Sequence, residues 1–106
     1  GEKPMASDWG YSTATHSRGT AGTASTVVLA ANASRKYLFI RNELGGPVYL
    51  NLGGAATVDN GSVRMAGAGT VGSDYEMTKG RGNIYTGSVT AICSGATALL
   101  DIIEGT

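Results

Sequence analysis

Charge, aromatic side chains, proline and cysteine are all scarce in this chain, and each shortage excludes something. Cys93 is the single cysteine of the 106 residues, so no disulfide can close within the chain and no cysteine-based zinc site is available. Its place between Ile92 and Ser94 reads as a small buried hydrophobe in a strand. One histidine, His16, makes a transition-metal site improbable on numbers alone. Only 15% of residues are charged, and eight basic residues balance eight acidic ones to a formal net charge of zero. A nucleic-acid binder needs a basic excess to neutralise phosphates, and none is present. No apolar run approaches the roughly 18 residues of a membrane span. The first residues are polar, and no secretory leader is expected among them. Nothing in the composition calls for a cofactor or a metal.

Glycine is plentiful, with 17 residues, and the hydrophobic fraction is 42%, much of it alanine. Abundant Gly, Ala, Ser and Thr with few charges favour close-packed β structure with many turns over helices. The length fits one domain. Near-zero net charge also weakens the repulsion between copies, which suits a chain that works in an assembly.

Residues 1–24 show neither helical nor strand periodicity, and they read as an extended or flexible N-terminal arm. Trp9 and Tyr11 are its only aromatics. Three readings stay open for it: a disordered tail, an arm that orders against a partner through Trp9 and Tyr11, or one that folds back across its own domain. Residues 25–106 read as a single β domain. Strands are expected over Ser25–Ala30, Arg35–Asn42, Val48–Leu52, Ser62–Met65, Ser73–Thr78, Ile84–Cys93 and Thr97–Ile103. Regular short strands with Gly-rich turns indicate an antiparallel β-sandwich of seven or eight strands. Arg35–Leu52 is its densest apolar stretch, two strands around the corner Glu43–Pro47. Leu38 and Ile40 share one face and Tyr37 and Phe39 the other; Val48, Leu50 and Leu52 point inward, Tyr49 and Asn51 outward. Asn42 is expected to hold the adjoining turn through its side-chain amide. The last two strands, separated by Ser94-Gly95-Ala96, read as a hairpin.

The search for chemistry returns little. A Ser-His-Asp set can be written from His16 with Ser12 or Ser17 and Asp8, but the arm offers no rigid scaffold to hold it. Asp74 and Glu76 lie two apart on one strand face, where acid–base work is conceivable and solvation is the simpler reading. Lys79-Gly80-Arg81-Gly82 lacks the pattern of a phosphate cradle; its cations suit an anionic partner surface or a solvated turn. Tyr37, Tyr49, Tyr75 and Tyr85 could supply a surface for stacking sugars. The chain is therefore expected not to be an enzyme, and Trp9, Tyr11, Arg18, Lys79 and Arg81 are its candidate partner-binding residues.

Four segments carry a resemblance. They are R-x-x-L-x-I-x-N over Arg35–Asn42, V-Y-L-N-L-G over Val48–Gly53, G-x-V-x-A-I over Gly87–Ile92, and A-L-L-D-I-I-E over Ala98–Glu104. Together they resemble small β-sandwich virion proteins of tailed bacteriophages, capsid decoration (cementing) proteins in particular, across roughly Ser25–Thr106. The resemblance implies a jelly-roll-like sandwich on the capsid surface of the virion, bound to the major capsid protein and to copies of itself as a homotrimer, with the arm reaching neighbouring subunits. On that expectation, removing residues 1–24 weakens particle binding and leaves the sandwich folded. A carbohydrate-binding or adhesion module of a fibre or tail, with a glycan as partner, is the alternative.

Overall fold

The computed structural model describes residues 13–58, 63–78, 82, 84–93, 95 and 97–106. Trp9, Tyr11, Lys79 and Arg81 lie outside them, as do Ser12 and Asp8. The described residues form eight strands: β1 (Ala14–Ala21), β2 (Thr26–Leu29), β3 (Tyr37–Leu44), β4 (Val48–Leu52), β5 (Val63–Met65), β6 (Asp74–Thr78), β7 (Val89–Cys93) and β8 (Ala98–Gly105). They build two four-stranded sheets, ordered β1-β8-β3-β6 and β2-β7-β4-β5. Every pairing is antiparallel. The expected all-β sandwich is present, and this strand order is that of the eight-stranded jelly roll, a double Greek key.

The core fills the space between the sheets. Leu38 and Ile40 of β3, Met77 of β6, and Leu100 and Ile102 of β8 face Val48 and Leu50 of β4, Met65 of β5, and Val89, Ala91 and Cys93 of β7. Their period of two along β3, β4 and β8 is the alternation that a sheet covered on one face imposes. Cys93 is buried, and its thiol donates to the Ala21 carbonyl oxygen at 3.0 Å.

Asn42 does what the sequence suggests. Its Nδ2 donates to the carbonyl oxygens of Gly46 (2.8 Å) and Ala66 (3.1 Å), tying the β3–β4 corner to the loop after β5. Gly45 in that corner has φ +109°, and a Cβ there would lie 2.8 Å from the Thr97 carbonyl oxygen, so glycine is required twice over.

Three sequence expectations change. First, the stretch assigned to the arm contains β1, which pairs with β8 over eight consecutive residues. β1 is an edge strand with both faces largely in water, so it needs no apolar alternation; only Ala21 is fully buried. Second, β7 and β8 are not a hairpin. β7 belongs to one sheet and β8 to the other, so the chain crosses the sandwich between Cys93 and Ala98. The corner Glu43–Pro47 crosses in the same way, and β3 and β4 share no ladder. Third, the strand expected to begin at Ile84 begins at Val89. The carbonyls of Tyr85 and Gly87 are taken by Arg35 instead of by a neighbouring strand.

Candidate functional site

Directly opposed residues of an antiparallel pair lie on the same face, so the registers of β1, β8, β3 and β6 set out rows across the outer face of their sheet. One row runs Ala14, Gly105, Tyr37, Thr78; the next His16, Ile103, Phe39, Glu76; the third Arg18, Asp101, Arg41, Asp74. The β1, β8 and β3 members of the second and third rows line a shallow groove of about 440 Å³ (His16, Phe39, Ile103, Arg18, Arg41 and Asp101), with Ser17 and Ile102 of the intervening positions also at its wall. Phe39 and Ile103 stay half-buried because no second layer of the described chain covers this face.

The charged wall is a network. Arg18 Nε lies 2.9 Å from Asp101 Oδ1, Arg41 approaches Asp101 Oδ2 at 3.6 Å, and Arg41 also pairs with Glu43. Glu43 follows Arg41 by two residues on β3 and so projects to the same face. Partial burial opposes the charge on Asp101. The hydrogen bond with Glu43, the nearby Arg18 charge, and hydrogen bonds from Arg18 and Arg41 outweigh it, so the carboxyl is held below the usual aspartate range. Beside the network, the Tyr37 hydroxyl donates to Glu76 Oε2 at 2.8 Å. The groove thus offers an apolar floor with one aromatic ring and a wall of both charge signs, suited to hold a flat or amphipathic group.

Of the sequence candidates, Arg18 alone falls among the described residues, and it stands in this wall. His16 and Ser17 are neighbours on β1, so their side chains project to opposite faces and cannot work as a pair. Asp74 and Glu76 do share a face, as their spacing implies. The four tyrosines do not form one surface. Tyr37 is on the outer face of its sheet, Tyr49 belongs to the other sheet and is buried, and Tyr75 and Tyr85 pack against the core. Among the described residues no group of three His, Cys, Asp or Glu could hold a metal ion.

Sequence reasoning missed Arg35, which it names only as the start of a strand. Its side chain is fully buried. Nε donates to Glu104 Oε2 (2.8 Å), one terminal nitrogen to the carbonyl oxygens of Tyr85 (2.7 Å) and Gly87 (3.0 Å), and the other to that of Ala30 (2.7 Å). Those acceptors are up to 69 residues distant in sequence, so no local pattern announces the site.

At the other end of the sandwich, the loop between β5 and β6 is held against the β3–β4 corner. Ala68 N donates to the Gly45 oxygen and Asn42 N to the Ser73 oxygen. This end presents Leu44 and Val71 to solvent.

No family model matches the chain, and no curated protein matches it. Among solved structures, one titled "Bacillus endospore appendages form a novel family of disulfide-linked pili" is similar at 13% identity. It covers 88% of this chain and 85% of the other, with a TM-score of 0.46. At this level of likeness nothing about function passes from one chain to the other.

Proposed function

We propose that the chain is a structural protein of a bacteriophage particle, a decoration protein that binds the outer shell and stabilises it. The observation that carries this reading is the strand order β1-β8-β3-β6 over β2-β7-β4-β5, an arrangement used by viral capsid and lectin domains. The segments with the phage resemblance fall on β3, β4, β7 and β8, the four interior strands that give the sandwich its rigidity. A partner that binds only the assembled shell stabilises it by mass action, so a small rigid domain needs no chemistry for this task. The contact surface is the groove face with Arg18 and Arg41, together with the end carrying Leu44 and Val71. Mass spectrometry of purified particles of the encoding phage tests the reading. The chain is expected in fixed stoichiometry, and stripping it is expected to lower the temperature at which the shell opens. Its absence from particles would overturn the proposal.

A carbohydrate-binding module is the second reading, favoured by one observation: Phe39 and Ile103 form an apolar floor beside hydrogen-bonding charged groups, as a sugar ring requires. A saturable glycan-array signal abolished by Phe39→Ala would support it.

A further inference from the structure

The four sheet edges are not equally guarded. β5 has three residues, β2 has four and an irregular register between Val27 and Leu29, and β6 has five with Asp74 and Glu76 on it. Short length, bulges and charge are the devices that keep an edge from pairing with another chain. β1 has neither short length nor a bulge, and its one charge, Arg18, is paired with Asp101 of its own sheet. It is eight residues long, ATHSRGTA, with no proline, no lysine and an unbroken register to β8.

Among the described residues its outer edge also has no partner over a defined window. At the C-terminal end, Gly19 meets β2, where an added Cβ would lie 2.8 Å from Val28 Cβ. Just beyond it, Cys93 N donates to the Gly22 oxygen at 2.8 Å. That end is closed by the second sheet. Ala14–Arg18 are all exposed, and no strand among the described residues pairs with their outer edge.

We propose that β1 pairs antiparallel with β1 of a second copy over Ala14–Arg18, about a twofold axis at His16, joining two four-stranded sheets into one of eight. The window dictates the axis, because antiparallel pairing of residues 14–18 with themselves sets 14 against 18, 15 against 17 and 16 against 16. The pairing is self-complementary. Arg18 faces Ala14 of the other copy rather than a second arginine, and Thr15 faces Ser17, a hydroxyl pair that suits cross-strand contact. The zero net charge of the chain sets no long-range repulsion against it. An isologous contact of this kind closes at two copies and cannot generate a threefold, so it departs from the trimer that the phage resemblance implies. Because His16 also lines the groove, the pairing brings the two grooves together across the axis.

Sedimentation of the full chain at micromolar concentration tests the proposal, with cross-linking to fix the register. A dimer is expected. In it, His16→Cys is expected to join to its counterpart through a short thiol-reactive linker, since opposed Cβ atoms lie about 4.5–5.5 Å apart. Thr20→Cys lies beyond the window and is expected not to join. The double substitution Thr15→Lys, Ser17→Lys sets like charges opposite each other and is expected to give a monomer with an unchanged circular dichroism spectrum. A monomer or a trimer for the unmodified chain, or a dimer that cross-links through residue 20 and not 16, would overturn the proposal. None of these outcomes depends on whether the chain binds a shell.

Discussion

Arg35 joins Ala30, Tyr85, Gly87 and Glu104 through one buried side chain. Its planar guanidinium meets one carboxylate and three carbonyls at once, a geometry that a lysine ammonium cannot reproduce. Arg35→Ala would leave Glu104 and those carbonyls without their donor, and a stability loss of about 3–5 kcal/mol is expected in chemical denaturation. A loss under about 1 kcal/mol, the range of an exposed pair, would show that water replaces the guanidinium at little cost. The Arg18–Asp101–Arg41 network is different in kind, because its members are partly exposed. The Asp101 carboxyl is held below its usual range in the folded protein, so the folded state gives up its proton more readily than the unfolded chain. Its contribution is therefore complete above the unfolded aspartate pKa of about 3.9 and drains as pH falls through the lower folded value. Melting temperature is expected to drop more steeply for the wild type than for Asp101→Asn over that acid range. Parallel curves would mean that the network adds nothing to stability. Asn42 was legible in the sequence because its partner Gly46 lies four residues away. Arg35 was not, because every acceptor but one comes from distant chain.

At the scale of elements, β3 and β4 announced themselves through alternation, since a strand with one face on the core must bury every second residue. β1 gave no such signal. Its exposed edge position removes the demand for apolar side chains, and the backbone ladder to β8 holds it instead. The partition of strands between sheets was also hidden. A short Gly-containing connection can close a hairpin or cross a sandwich, and the choice lies in the packing of Leu100 and Ile102 against the opposite sheet, not in the turn. This matters for truncation. Deleting residues 1–12 is expected to leave cooperative unfolding intact. Deleting residues 1–21 removes β1 and uncovers one side of β8, so a broadened transition at lower denaturant is expected. The earlier expectation, that the chain from residue 25 onward folds by itself, is replaced by this one. Equal stability of the two truncations in urea would contradict the place given to β1.

For the whole molecule, the jelly roll supplies a scaffold with distinct surfaces: a groove face, a loop end with Leu44 and Val71, and the β1 edge, which no strand among the described residues covers. A decoration protein needs such surfaces and no reaction centre. Attachment to a shell, the role proposed above, is read by co-sedimentation with particles stripped of the chain. Saturable binding at a fixed number of copies per particle is expected, weakened by Arg41→Glu with Val71→Asp in a variant that keeps the wild-type melting profile. Failure of the folded chain to sediment with those particles at any concentration would contradict it.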